Sequence, residues 1–339
     1  MRKKKLLVSV TAILASLSLL LSSTPASATV TTFGKWANRT QTMYVPSSSA
    51  NFTAWSSGAA KWRTNTSFNL STSQGSSSIY YAYDVKNSSV TWDGLCTYTV
   101  ANGIITKATI NLNTYYTQDN KYTSSIKAGL TGHEIGHSLG LNHTSLLETS
   151  SIMHPYTFNS NGTPARALNP SSSDIAVVNQ LYPILPAAAP DSKGIASQED
   201  GIYLHPSWSV YYEDEEALSQ AAELVVKGTV SKEKGSTLKT GDYPGYSTEV
   251  SITVSEVIKG DPACVNQQIT VSQMGGTDGV VTVYSDSSTH LKKEQEVVLF
   301  LKKIGANTFI PINEDDGIFL NEGGTFFNIA NNIELNSIE

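Results

Sequence analysis

Apolar and polar residues alternate along three stretches in the first half of the chain, and this pattern predicts β-strands. The stretches are residues 78–83, 95–100 and 104–112. Each is rich in Tyr, Thr, Val or Ile, which favour a half-buried pleated surface. A sheet is therefore expected in this part of the chain.

Further along the first half of the chain, apolar residues recur at the spacing of an α-helix. Thr123 or Ser124 is a suitable N-cap for a helix that runs to about residue 139, and Gly140 is suited to end it. A last helix is predicted over residues 170–182, before a proline. Residues 38–78 are rich in Ser and Asn and give no clear period.

The second half of the chain is different, because short apolar runs there are separated by Gly, Asp and Asn. A short helix over residues 217–222, preceded by four acids, comes before these runs. The main runs are 224–226, 249–257, 268–271, 280–284, 296–301 and 308–310. Short strands with turn signals are typical of a sandwich or a barrel. We therefore predict an α+β chain: a twisted mixed sheet with helices, followed by an all-β, barrel-like domain.

The first residues have the layout of a secretory signal peptide. Four basic residues, 2–5, precede a largely apolar run of 16 residues, 6–21. The small-residue triplet Ala26-Ser27-Ala28 follows, with cleavage expected after Ala28. The alternative is an uncleaved anchor, but the run falls short of the ~20 residues that span a bilayer. A secreted, extracellular protein without a membrane anchor is expected.

Composition and charge divide the remainder into two units. Hydrophobic residues make up 40% of the 339 residues and charged residues 15%, which excludes an ordinary disordered chain. The net charge is +3 over residues 29–185 and −13 after them. We predict a first domain over 29–185, a proline-rich linker over 186–201 and a second domain over 202–339. The overall charge of −6 argues against nucleic acid as a partner.

The strongest chemical signal is the string HEIGHSLGLNH, residues 133–143. On a helix, His133 and His137 lie one turn apart on one face, so both can bind one zinc ion. Gly140 can take a left-handed conformation and turn the chain so that His143 supplies a third ligand. Three protein ligands leave a zinc position open for water, which indicates a catalytic site. The alternative, a helix with surface histidines, is disfavoured by the third His at this spacing.

This string resembles the metzincin clan of zinc endopeptidases, and within it the matrixin family in its bacterial secreted form. Ser151-Ile152-Met153-His154-Pro155 follows the motif, and Met153 matches the Met-turn that lies beneath the metal. The resemblance covers residues 31–183 and implies a zinc-dependent metalloendopeptidase (a protease) with one catalytic Zn²⁺. Tyr156 is one residue too late to match the tyrosine that approaches zinc in other metzincins.

The sequence also departs from the animal matrixins. It contains no cysteine-switch propeptide and no His- and Asp-rich segment for a structural zinc. The resemblance implies Ca²⁺ as a further cofactor, but Asp84, Asp93 and Asp119 are too scattered to support a calcium site.

In the expected mechanism, zinc activates a water and Glu134 serves as its general base. The substrate is a protein or peptide. It is expected to add as a strand to the edge near residues 96–100, the strand preceding the zinc helix. No individual substrate-binding residue can be named. A rival interpretation is a catalytically silent or self-inhibited zinc-fold binding protein.

The second domain has no catalytic string. Part of residues 212–311 is weakly similar to OB-type, netrin-like barrels. A binding or spacer module is favoured, and autoinhibition by intramolecular docking on the protease is the alternative. His205 and His290 are each expected to be exposed rather than to bind metal. His154, in the first domain, is also expected to be exposed, and a position behind the metal ligands is the alternative. Cys96 and Cys264 lie in different units, and two unpaired cysteines are favoured over a disulfide.

Overall fold

A computed structural model of the chain describes residues 32, 34–184, 199–239 and 245–336. The predicted signal peptide (1–28) and residues 186–198 of the predicted linker lie outside these residues. No helix in the described part of the chain is both long enough and apolar enough to cross a bilayer.

The structure contains sixteen strands, five α-helices and two 3-10 turns within the described residues. The helices are α1 (Phe52–Arg63), α2 (Thr114–Thr117), α3 (Ser124–Ser138), α4 (Ser172–Leu181) and α5 (Glu215–Ala221), and the 3-10 turns are Pro262–Cys264 and Glu314–Gly317. The first eight strands are β1 (Thr40–Val45), β2 (Asn69–Gln74), β3 (Tyr80–Val85), β4 (Trp92–Ala101), β5 (Ile104–Asn113), β6 (Tyr156–Asn159), β7 (Gly201–Tyr211) and β8 (Leu224–Lys239). The others are β9 (Gly245–Lys259), β10 (Gln268–Met274), β11 (Gly276–Thr277), β12 (Thr282–Ser285), β13 (Glu296–Lys303), β14 (Thr308–Pro311), β15 (Ile318–Glu322) and β16 (Thr325–Asn328).

A mixed sheet forms the framework of the first unit. Its strand order is β2-β1-β3-β5-β4, in which only β4 runs antiparallel to its neighbour. The sheet then continues through β7, β12 and β11, and β6 pairs with β7 beside this path. Three strands of this sheet, β7, β11 and β12, therefore come from beyond the predicted first domain.

Helix α3 crosses the sheet and is buried along its whole second half. Helix α1 packs against it closely, since a Cβ at Gly58 would lie 2.7 Å from the backbone nitrogen of Gly132. Trp62 donates from its indole nitrogen to the Gly132 carbonyl at 2.7 Å. The sheet, α1 and α3 enclose one hydrophobic core, and this core fixes the position of α3.

Five strands of the C-terminal unit close into a barrel. The order β14-β10-β9-β8-β13 returns to β14 through a β13–β14 pairing, and β15 and β16 extend from β13. The barrel has its own core of Val, Ile and Leu side chains. This confirms the expectation of a β-rich, barrel-like region, while the similarity to netrin-like modules stays a prediction.

The mixed fold of the first unit is also confirmed, and so are its two main helices. Thr123 caps α3 by accepting from the Ile126 nitrogen, and Ser171 caps α4 in a reciprocal capping box with Asp174. β1 and β2 lie in the Ser/Asn-rich stretch where no period was apparent.

Candidate metal centre

Gly140 gives the chain the turn that the metal-binding motif needs. Its φ is +99°, a conformation that side chains disfavour, and the Gly34 carbonyl lies directly against it. The amide of Leu141 donates back to the Gly136 carbonyl at 3.2 Å, so the chain reverses at the end of α3. This reversal returns His143 to the helix.

The three predicted ligands converge through their Nε2 atoms. The His133–His137 separation is 3.0 Å and the His137–His143 separation is 3.1 Å. Two nitrogens bound to one tetrahedral zinc at 2.0–2.1 Å lie about 3.4 Å apart. The three residues form the one group of His, Cys, Asp or Glu side chains, among those described, whose ligand atoms could share an ion.

The opposite ring nitrogens all have acceptors. Nδ1 of His133 donates to the Ile152 carbonyl at 2.7 Å, and Nδ1 of His137 donates to the Leu141 carbonyl at 2.8 Å. Nδ1 of His143 donates to Asp286 at 3.0 Å. These bonds leave each Nε2 lone pair free for a metal. Burial also lowers the pKa of His133 and His137 well below the usual value, which favours the neutral, ligating form. The residues therefore fit a zinc ion.

Met153 packs against α3 at Gly136, the residue before His137. It is fully buried, and its sulfur would meet any Cβ placed on Gly136. The neighbouring Ile152 packs its side chain on Gly132, one turn earlier, where a Cβ would lie 3.0 Å away. Gly132 and Gly136 thus let the turn that holds Met153 approach the helix closely.

Glu134 lies beside the triad in a fully buried position. Its Oε1 is 4.0 Å from Nε2 of His133, and neither carboxylate oxygen has a hydrogen-bond partner in the protein. Burial raises the pKa of Glu134 well above its usual value, although the nearby Ser207 hydroxyl and Arg166 oppose that effect. Gly94 of β4 faces the carboxylate so closely that a Cβ there would overlap Oε1. A buried, unpartnered carboxylate next to an open metal position is suited to hold a water and take its proton.

Strand β7 covers the metal centre, and the expectation that His205 is exposed was wrong. His205 is 1% exposed, and its ring stacks on that of His137 with centroids 4.7 Å apart and planes 15° from parallel. Its Nδ1 donates to Asp286 at 2.8 Å, and its Nε2 lies 3.0 Å from the Tyr98 hydroxyl. The alternation of apolar residues at 202, 204, 208 and 210 was the available signal for this strand, and Pro206 interrupts it.

Asp286 joins the two histidines. Its side chain is 9% exposed and the same oxygen, Oδ2, accepts from both His143 and His205. Burial alone would raise the pKa of Asp286, but the two imidazoles hold it well below its usual range. Nothing in the sequence around residue 286 indicated this role.

The structure also bears on three further expectations, for His154, for His290 and for the two cysteines. His154 was expected to be exposed but is buried, and burial lowers its pKa to about 4. His290 is half-buried and bonds through Nε2 to the Met274 carbonyl. Cys96 and Cys264 are both free, as favoured from the sequence.

The acids that bear on a calcium site lie apart. Asp84 accepts from Ser49, Asp93 accepts from Ser207 and Tyr122, and Asp119 accepts from a backbone amide of its own turn. None of the three belongs to a group placed to share an ion among the described residues.

The first unit also matches a known protein family. Residues 27–183 match the family model described as matrixin. Two solved structures of myroilysin share 15–16% identity, cover 45–48% of this chain and 97–98% of their own, and have TM-scores of 0.30–0.31. High choriolytic enzyme 1, a hatching-enzyme zinc protease from the medaka fish Oryzias latipes, shares 15% identity over 46% of this chain and 96% of its own, with a TM-score of 0.28. No curated protein matches the chain.

The fold and the histidine site define a zinc metallopeptidase. Residues 27–183 are similar to the matrixin family, and the five-stranded barrel follows them in the chain.

Proposed function

We propose that this protein is a secreted endopeptidase in which His133, His137 and His143 hold one catalytic zinc and Glu134 is the general base. The observation that supports this most is the convergence of three Nε2 atoms beside an unpartnered, buried carboxylate. A structural zinc site would be closed by a fourth protein ligand, and the described residues supply only three.

When bound, zinc would polarise a peptide carbonyl and lower the pKa of a water toward ~7. Glu134 would accept the proton of the attacking water and pass it to the nitrogen of the departing amine. The backbone bonds to His133 and His137 keep both rings in the tautomer that points Nε2 inward. Met153 supports the rings from below without ligating.

The substrate would be a protein or peptide in extended form. β4 runs past the metal centre, and β6 lies on the far side of β7 from it. We call the space between β4 and β6 the substrate groove. An extended peptide between them would hydrogen-bond to β4 as an added antiparallel strand.

The secretory layout of residues 1–28 supports export, with release of a mature chain that has no membrane anchor. Nucleic acid forms no part of the proposal, and neither does calcium.

The test is cleavage of a quenched-peptide library by the chain from residue 29 to 339, loaded with zinc. Zinc removal and Glu134→Ala should each abolish cleavage, and Glu134→Ala should still bind zinc. Glu322→Ala, which removes an exposed acid of the barrel, is the matched control and should cleave like the parent. Equal and measurable cleavage by Glu134→Ala and the zinc-loaded parent would refute the role of Glu134.

A further inference from the structure

We infer that β7 occupies the substrate groove of the protease and keeps it latent until the strand is displaced. This inference rests on the proposed function, since it assigns the groove to a peptide substrate. It concerns a segment that follows the matrixin-like domain, residues 201–211.

β7 pairs with both strands, β4 and β6, between which an extended substrate would bind. It pairs antiparallel with β4 from Trp92↔Trp208 to Val100↔Gly201. On its other side it pairs in parallel with β6, where Tyr156 lies opposite Trp208. A second peptide therefore has no free strand edge at the metal centre.

The residues of β7 that face the centre fill it. His205 covers the ring of His137, as described above. Ser207 lies opposite Gly94 in the strand pairing and donates to Asp93 at 2.9 Å, beside the Glu134 carboxylate. With Glu134 fully buried, a substrate carbonyl can reach it only if this strand moves.

The opposite face of β7 anchors the strand by apolar burial. Leu204 and Trp208 pack in a cluster with Leu95, Tyr156 and Val283. The Trp208 amide also donates to the Pro155 carbonyl at 2.9 Å. Burial of a tryptophan and a leucine removes a large apolar area from water and stabilises the docked strand.

A second segment of the C-terminal unit, β12 and the residue after it, contacts β7 along the edge opposite β4. β12 pairs in parallel with β7 at residues 202–204, and Asp286 follows β12 directly. Through Asp286 this segment binds His205 of the occluding strand and His143 of the metal site at once. The C-terminal unit thus supplies both the covering strand and a second segment, β12 with Asp286, that holds it in place.

The matrixin-like domain has all of its metal ligands and its general base without these segments. The family match ends at residue 183, and the triad and Glu134 lie at 133–143. β7 is therefore an addition to the edge of the domain, in the position where a substrate would be bound.

Ser207→Glu tests the inference in the full mature chain. The new carboxylate would be buried against Glu134 and Asp93, and charge repulsion should expel β7. Ser255→Glu makes the same change at an exposed position of β9 and is the control. Zinc content is measured for every protein.

The main readout is binding of a fluorescent peptide hydroxamate, which reports access to the groove without requiring turnover. We expect Ser207→Glu to bind it at least tenfold more tightly than the parent and Ser255→Glu, and to cleave quenched peptides correspondingly faster. Equal binding by all three zinc-loaded proteins would overturn the inference. Tighter binding without any cleavage would uphold occlusion and count against the proposed function instead.

A disulfide lock provides a test that leaves the centre untouched. Thr99 and Ile202 face each other in the β4–β7 pairing and are half-buried, so cysteines at both positions can cross-link the strands. The oxidised lock should lose the residual hydroxamate binding of the parent, and reduction should restore it. Unchanged binding by the oxidised lock would show that substrate enters without displacement of β7, which would overturn the inference.

Discussion

His143 and Asp286 are joined by a hydrogen bond of 3.0 Å between Nδ1 and a carboxylate oxygen. The two other zinc-site histidines donate to backbone carbonyls close to them in the chain, at Ile152 and Leu141. The acceptor of His143 instead lies 143 residues later in the sequence, in the C-terminal unit. The C-terminal unit, which covers the metal site, thus also orients its third ligand, His143.

Removing this carboxylate should weaken the metal site. Asp286→Ala leaves Nδ1 of His143 without its acceptor, and loss of such a partner typically reduces metal affinity 10–100-fold. Competition with a chromogenic chelator measures the zinc dissociation constant. Glu322→Ala serves again as the control, and an unchanged constant in Asp286→Ala would contradict the orienting role.

Glu134→Gln should separate metal binding from turnover. The amide is nearly isosteric but cannot take a proton, so kcat/KM should fall about 10²–10⁴-fold while zinc content stays at one per chain. The comparison belongs in the Ser207→Glu background, where the groove is open. A fall of less than tenfold would place the general base elsewhere.

Gly136→Ala should destabilise the first unit, although alanine is the better helix former. The added methyl group would meet the sulfur of Met153 and lie 2.8 Å from Trp62, in a core without space. Overpacking of this kind costs about 1–3 kcal/mol in the free energy of unfolding. Gly305→Ala, where the nearest atom is 3.4 Å away, is the control for denaturant titration. Equal denaturation midpoints for the two variants would show that the turn around Met153 shifts to accept the methyl group at little cost in stability.

Asp316 should make stability depend on pH. It accepts from the Tyr156 hydroxyl at 2.7 Å and joins the barrel to β6. Burial raises its pKa to about 7, against partial opposition from the hydrogen bonds of Tyr156 and Asn313. In the unfolded chain this group titrates near 4. Since the folded value is the higher one, its contribution is complete below pH ~4 and is lost as the pH rises through about 7.

Thermal unfolding at pH 5 to 8 checks this. The midpoint should fall across that range in the parent, and Asp316→Asn should flatten the fall. Asp261→Asn, at an exposed position of the barrel, should leave the slope of the parent. The same slope in Asp316→Asn would assign the pH dependence to other groups.

The metal centre could be predicted because its determinants are local. Helix spacing places His133 and His137 together, and one glycine returns His143, so eleven consecutive residues specify the arrangement. α3 and α4 were predictable for the same reason, since Thr123 and Ser171 cap them from adjacent positions.

The occlusion could not be predicted from the sequence, because it depends on contacts between distant segments. His205 and Asp286 have no motif, and only tertiary pairing of β7 and β12 places them at the triad. β1 and β2 were missed for a related reason. Their Ser- and Thr-rich sequences have weak alternation, and their pairing with each other and with β3 decides the strand conformation.

The covering strand β7 and Asp286 are synthesised after the residues of the metal site. The ligands and the general base end at residue 143, whereas the covering strand begins at residue 201 and its carboxylate lies at 286. Because domains generally fold from the N-terminus as the chain emerges, the metal site can assemble while the β4 edge is still bare. Inhibition by β7 then begins only after the metal site has formed. Loss of the chain after residue 200 would therefore open the groove, but it would also remove the Asp286 carboxylate that orients His143.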